Sequence, residues 1–575
     1  MRKSVFTLFA ALLLMGLVAQ SQEWPQWGKD PQHTGFINVV GQPAQRILAD
    51  VIYDPFVEAE KIDSGDNDLL VHYQVPLIDG NDVFMEFKSG TFTDSGHWET
   101  QTWNEKRLRW QGNGLVEKWT FTSDWKPVPF GTIKAGPFWE PVFHATLANG
   151  AIYVPGAGGS IFKVNKTNGA LIARINPFGP AIDPDTFTAG PISTDSAGNL
   201  YYNVIRLAHG NGWNSDAVNS WLVKVTPGGT AQTATFASLN PGAPAGNDKC
   251  VGVFNVNQLP WPPSPDAVAP DITCGSQRPG INVAPAIASD GTIYTISVAQ
   301  FSTRTAYLLA VNPNLTPKWA ASMRDRFNDG CDVLLPPSGT PGGCRAGSHV
   351  GVDPAQNRPG AGRVLDDGTS SPVVAPDGSI FYGSYTRYNY AQGHMMHFSS
   401  TGQFLNYYDF GWDITPGIRA HDGTYSVITK DNHYGEDIGS YCNDDVICPP
   451  DRNISQPSYP EAYFITSLTP NLVPEWKWQN TNPLSCSRDD NGNVTCVSDH
   501  PHGFEWCVNA PAIDSGGNIY NNSEDGFIYV LRPDGTLREK LFLKLALGAA
   551  YTPISLMADG KILAQNDGHL FVVGQ

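Results

Sequence analysis

The feature that most constrains this chain is a repeat. Across its 575 residues one pattern returns: a proline, a short apolar stretch, an Asp-Gly, Asn-Gly or similar turn, then an alternating strand with Tyr or another large apolar residue. It is found at residues 141–153, 191–201, 285–294, 372–381, 511–520 and 553–563. Tight hairpin turns need a positive φ, which Gly adopts without a Cβ penalty, so each copy encodes two strands and their connection. A third strand follows at 160–164, 221–225, 306–311, 395–399, 463–468, 527–531 and 569–573. A fourth often carries tryptophan after a charged residue, as in Lys118-Trp119, Lys318-Trp319 and Glu475-Trp476. Residues 69–121 are a diverged first copy, with strands expected at 69–76, 83–88 and 115–121. A sixth copy is also diverged, with residues 424–429 in place of the proline.

Eight units of four short strands, with no helical periodicity between them, leave few architectures. One four-stranded sheet cannot cover both its faces, whereas eight stacked radially can, and the ring leaves no long exposed edge. The expectation is an all-β, eight-bladed β-propeller of four-stranded antiparallel blades. It forms a single domain over 22–575 and carries loop insertions near 240–280, 321–366, 435–460 and 480–505. The last copy ends at Gln575 after three strands, so residues 47–53 are expected to supply its fourth and close the ring.

Residues 1–21 have the parts of a secretory leader. Arg2 and Lys3 precede an apolar run over 5–18, and Ala19-Gln20-Ser21 offers small residues for a cut near Ser21. No later stretch is long and apolar enough to span a bilayer. The expected product is secreted or periplasmic. Eight of nine cysteines fall into close pairs inside polar insertions, as an exported protein would use them: Cys250/Cys274, Cys331/Cys344, Cys442/Cys448 and Cys486/Cys496. Acidic residues outnumber basic ones by 55 to 37, a net charge of −18, which disfavours nucleic acid as a partner. A monomer is expected.

The run Pro511-Ala512-Ile513-Asp514 leading to Ile519-Tyr520, followed by Gly526-Phe527-Ile528-Tyr529-Val530-Leu531, resembles the quinoprotein-like (PQQ-like) β-propeller repeat. The block Trp24-Pro25-Gln26-Trp27-Gly28 to Asp30-Pro31-Gln32-His33-Thr34-Gly35 is similar to the opening of many secreted members. The resemblance covers nearly all of the chain and implies the fold. It spans both pyrroloquinoline-quinone dehydrogenases and non-catalytic envelope scaffolds. The dehydrogenase members hold the quinone under a disulfide of adjacent cysteines, with Ca²⁺ on Glu, Asn and Asp. Here no Cys-Cys, no C-x-x-C-H and no matching calcium segment occurs. No cofactor is therefore expected; PQQ with calcium is what the resemblance allows without support from motifs. No metal site is expected either.

In a propeller, segments before or within each inner strand line the channel, and loops at one end form a funnel. Those positions hold Trp139, Glu140, His144, Arg419, His421, Asp422, His502, Glu505, Trp506 and Tyr551. Such a mixture suits a polar ligand: a small molecule, a glycan, a peptide or an envelope protein. The plainer alternative is that these groups fill the channel with hydrogen bonds. If the site is catalytic, His144 and His421 are the general-base candidates, because imidazole titrates near neutrality, with Glu505 as a partner acid. Two functions stay open: a secreted binding or scaffold propeller, and a secreted enzyme. The enzyme would be a quinoprotein-type oxidoreductase or a carbohydrate-active lyase or hydrolase.

Overall fold

The computed structural model describes residues 24–64, 74–94, 97–128, 142–259, 261–331, 333, 344–366, 370–386, 393–411, 414–433, 462–488, 492–506, 510–547 and 553–575. Eight antiparallel blades follow one another in chain order. Blade 1 is built from Leu77–Asp79, Asp82–Gly90, Gln101–Gln111 and Gly114–Thr122, and blade 2 from Thr146–Ala148, Ala151–Pro155, Ile161–Asn165 and Leu171–Ile175. Blades 3 and 4 have interrupted inner strands, Thr186–Thr188 with Ser193–Thr194 and Gln277–Pro279 with Ala286–Ile287. Blades 5, 6 and 7 begin at Val373–Val374, Gly417–His421 and Ala512–Ile513.

Blade 8 is shared between the two ends of the chain. Ser555–Leu556, Ile562–Asn566 and His569–Gly574 are joined by Arg46–Ile52, which pairs antiparallel with the last strand from Arg46 opposite Gly574 to Ile52 opposite His569. The closing strand therefore lies one residue from its expected place. The first blade differs more. Its inner strand is Leu77–Asp79 rather than the expected 69–76, of which 69–73 lie outside the described residues, and its third strand, Gln101–Gln111, was not anticipated because Glu105, Lys106 and Arg107 interrupt the apolar alternation.

The repeat can now be explained residue by residue. In blade 3 the Asp195 carboxylate accepts the Asn199 amide at 2.8 Å and the Tyr201 hydroxyl at 3.0 Å. In blade 7 Asp514 does the same for Asn518 and Tyr520, at 2.8 and 3.0 Å. One acid thus fixes the hairpin turn and seats the tyrosine that follows. Burial is between blades. Tyr294, Ile296 and Leu308 of blade 4 pack with Tyr382 and Met396 of blade 5, and Val83 and Phe84 of blade 1 share a cluster with Leu563 and Val572 of blade 8.

The outer-strand tryptophans join neighbouring blades. Trp119, Trp319 and Trp476 donate their indole N–H to Lys166, Ser400 and Pro533 carbonyls of the next blade, at 3.1, 3.0 and 2.9 Å. Each ring lies on a glycine of that blade's turn, namely Gly169, Gly402 and Gly535.

Three disulfides are formed among the described residues: Cys250–Cys274, Cys331–Cys344 and Cys486–Cys496. Cys442 and Cys448 lie outside the described residues. The first two insertions join each other: Phe254, Leu259, Trp261 and Ala269 pack on Ala355, and the Phe254 amide donates to the Ala355 carbonyl at 3.0 Å.

Candidate functional site

An inner strand leaves backbone groups unpaired along the channel wall, and these need partners. The segment from Trp24 to Gln42 supplies them, touching all eight blades in order. Trp24 bridges Ile78 of blade 1. The amides of Leu147, Ile287, Val374, Ile418 and Ile513 donate to the carbonyls of Pro25, Pro31, Gln32, Thr34 and Gly35, at 2.8, 2.6, 2.9, 2.9 and 2.9 Å. Thr194 donates to Gln26 Oε1 at 2.6 Å, and Gln42 donates to Gly560 of blade 8 at 2.7 Å. The segment folds on itself, with Thr34 donating its amide to Asp30 Oδ1 at 2.9 Å and Gly35 donating to Gly28 at 2.9 Å. It is a plug that crosses the ring.

The plug also sets a common level for comparing blades. Leu147, Val374, Ile418 and Ile513 occupy equivalent positions, so His144 lies on the same side of the plug as Ser371, Thr415 and Ala510. Arg419, His421 and Asp422 follow Ile418 and lie on the other side, toward the hairpin turns. The candidates expected at one mouth are therefore divided between two ends.

On the side where the strands enter, a buried polar floor is present. His144 and Trp27 meet edge to face with ring centres 5.8 Å apart. His33 Nδ1 donates to the Pro372 carbonyl at 2.9 Å, which fixes the tautomer and leaves Nε2 as an acceptor. Asn282 Oδ1 accepts the Val142 amide at 2.8 Å. His33 Nε2, Trp27 Nε1 and Asn282 Nδ2 are buried without a hydrogen bond to any described residue, and His144 has only the Ala145 backbone beside it. Burial pulls His144 down to about 3, with His33 adding to it, and burial pulls His33 to about 4. Both imidazoles are neutral at pH 7, and His144 is a weak base rather than one tuned to neutrality.

The other candidates have different surroundings. His421 Nε2 is 2.8 Å from Ser426 Oγ and Nδ1 is 3.3 Å from Asp422. Arg419 donates to Ser426 Oγ at 3.1 Å. Trp506 is fully buried against Trp478 and Tyr529 between blades 6 and 7, while His502 is exposed. Glu505 is half-buried beside Asn432, 3.5 Å from its amide nitrogen. Trp139, Glu140 and Tyr551 lie outside the described residues.

Trp27, His33 and Asn282 were not singled out as site residues. The first two stand in the Trp24–Gly35 block, which gave the only available signal; nothing local marks Asn282. Below the plug, Pro25, Lys29, Asp30, Asn149 and Asp195 line an open groove of about 760 Å³ at the turns of blades 2 and 3.

A bound quinone with Ca²⁺ would need acidic ligands beside the axis. Among the described residues, the one group of three His, Cys, Asp or Glu side chains with metal-ligating spacing is Asp329, His394 and Asp409, two of which lie on the outer half of blade 5. Trp27, His33, His144 and Asn282 of the floor themselves carry no carboxylate.

No family model and no curated protein matches the sequence. Solved structures do resemble the fold. A europium-containing methanol dehydrogenase is 9% identical over 94% of this chain and 89% of its own, with a TM-score of 0.52. The quinohemoprotein alcohol dehydrogenase from Comamonas testosteroni is 10% identical over 97% and 81%, with a TM-score of 0.50. BamB from Moraxella catarrhalis is 11% identical over 82% and 94%; its TM-score of 0.35 is too low to bear on the question. At such identities the likeness is one of fold.

Proposed function

We propose that this chain, which has the quinoprotein-like β-propeller fold, is an exported binding protein. Its polar ligand would enter the mouth opposite the plug and rest on Trp27, His33, His144 and Asn282. The observation that carries this reading is the set of buried, unpartnered nitrogens on that floor. Leaving such groups without partners costs about 1–3 kcal/mol each, so a ligand that satisfies several of them gains accordingly. The imidazoles are neutral and offer donors and acceptors without net charge, beside the edge of an indole. That combination favours a neutral, hydroxyl-rich ligand such as a glycan over an anion.

Export is supported by three disulfides, which persist in oxidising compartments. Among the described residues no helix is long and apolar enough to cross a membrane. Cleavage near Ser21 would leave the plug intact, since the plug begins at Trp24.

A calorimetric and glycan-array screen on the purified protein tests the reading. Saturable binding that His144→Ala and Asn282→Ala each weaken, in variants that keep wild-type circular dichroism, is expected. Binding unaffected by either variant would place the ligand elsewhere. Dye reduction after addition of PQQ and Ca²⁺, or depolymerisation of a bound polysaccharide, would replace the binding reading with an enzymatic one.

A further inference from the structure

We infer that Asp329, His394 and Asp409 form a site for one divalent transition-metal cation of the zinc type, which pins the cysteine-bearing insertion after blade 4 onto blade 5. The site is remote from the plugged channel and independent of what binds there.

Three separate segments bring the donors together. His394 belongs to the third strand of blade 5, Gly393–Phe398, and Asp409 stands directly opposite it on the outer strand, Phe404–Phe410. Asp329 arrives from the insertion, two residues before Cys331, whose disulfide to Cys344 and backbone bonds with Val352 and Gly351 hold that loop. Phe327, from the same insertion, stacks on the His394 ring with centres 3.8 Å apart, and Tyr407 meets the ring edge at 5.2 Å. The imidazole is thus fixed in orientation before any ligand arrives, as metal-binding histidines require.

The three donor atoms converge closely enough to hold one cation. His394 Nε2 lies within hydrogen-bond distance of Asp329 Oδ2 and 2.8 Å from Asp409 Oδ1. All three ligand atoms lie within 4.8 Å of one another. A single imidazole nitrogen carries at most one proton. Asp329 and Asp409 both converge on that one nitrogen and on each other. A cation at the centre would satisfy all three atoms at once. Zinc–nitrogen and zinc–oxygen distances near 2.0–2.2 Å imply tetrahedral donor separations of about 3.3 Å, so the two carboxylate oxygens would draw back from His394 Nε2 on metal binding.

Charge points the same way. The His394 and Asp329 side chains are 0% and 3% exposed, and Asp409 is 21% exposed. With the metal bound, two carboxylates and a neutral imidazole carry −2, which a divalent cation balances. One imidazole with two carboxylates suits Zn²⁺, with Co²⁺ as a spectroscopic substitute, better than the all-oxygen sets that Ca²⁺ prefers. Three protein donors leave a fourth tetrahedral position for water.

The test uses the full protein, dialysed against a chelator and titrated with ZnCl₂ or CoCl₂. One Zn²⁺ per chain, tetrahedral Co²⁺ absorption displaced by zinc, and a metal-dependent rise in the melting midpoint are expected. His394→Ala and Asp409→Asn should each weaken binding about tenfold or more. Because His394→Ala removes a buried ring and can disturb folding, the near-isosteric Asp409→Asn carries the decision. Failure to bind either metal stoichiometrically would overturn the proposal. So would stoichiometric binding that Asp409→Asn leaves unchanged.

Discussion

The indole of Trp319, on the outer strand of blade 4, lies flat over Gly402 in the turn of blade 5 and donates its N–H to the neighbouring Ser400 carbonyl at 3.0 Å. A Cβ at Gly402 would stand 2.7 Å from the ring, and the residue has φ +84°. Trp119 with Gly169 and Trp476 with Gly535 repeat the arrangement. This contact is the joint between adjacent blades.

Gly402→Ala should therefore destabilise the protein by about 2–3 kcal/mol, combining a left-handed backbone penalty with overpacking against the indole. Gly423 has φ +77° but open space around its missing Cβ. Gly423→Ala should cost only the backbone part, about 1 kcal/mol. Chemical denaturation of the two variants separates the terms, and equal losses would refute the joint.

The plug should matter to the whole ring. Gln26 donates Nε2 to Thr194 O at 3.0 Å and accepts the Thr194 amide at 2.6 Å. Gln26→Ala leaves that buried amide without its acceptor, at a cost of about 1–3 kcal/mol. Hydrogen exchange should quicken at Thr194 and, to a lesser extent, at Ile287 and Val374 along the same segment. Acceleration confined to outer strands would contradict the role assigned to it.

Acid should destabilise the fold through its neutral histidines. Folded values near 4 for His33 and 3 for His144 lie below the ordinary 6.5. Between pH 6.5 and about 4 the unfolded chain binds protons that the folded chain does not, so stability falls as pH falls. Full passage through this window costs about 3 kcal/mol from His33 and somewhat more from His144. His144→Gln should flatten the acid limb of a stability–pH curve measured by urea denaturation.

Glu105 has the opposite sign. It is 2% exposed, and burial alone pushes its carboxyl well above the usual range. Its stability contribution is intact below about pH 4 and is lost as rising pH ionises the unfolded chain. Glu105→Gln should then be more stable than wild type at pH 8, by about 1 kcal/mol or more, and similar to it at pH 4. No gain at pH 8 would show that the folded carboxyl is ionised.

Reducing Cys250–Cys274 should act locally. The bridge closes a 24-residue separation in an insertion outside the blades. In the chain-entropy view it is worth about 3 kcal/mol to that loop. Cys250→Ala with Cys274→Ala should raise exchange over 249–273 and at Ala355, against which that segment packs, while blade amides keep their protection.

Much of the architecture was legible because propeller blades are local objects. Asp195, Asn199 and Tyr201 lie within seven residues, and their hydrogen bonds form wherever that pattern recurs. Three cysteine pairs could be read for the same reason. Blade 1 was harder, since Gln101–Gln111 carries charges on a largely buried strand and breaks the alternation that marks a sheet. The site was largely illegible. His144 and Arg419 look alike when positions are counted from the inner strand, yet Leu147 and Ile418 show them to be on opposite sides of the plug.

Local sequence determined the hairpins, their turns, the number of blades and the strand that closes the ring, because period-two apolar patterns and glycine turns act over a few residues. Tertiary structure alone decided that Trp24 to Gln42 crosses the channel, that His33 of the plug and His144 of blade 2 share one buried floor, and that Asp329 meets His394 and Asp409. Those contacts join residues 15 to more than 100 positions apart, and which of them form depends on how the eight blades settle around a common axis rather than on any neighbouring residue.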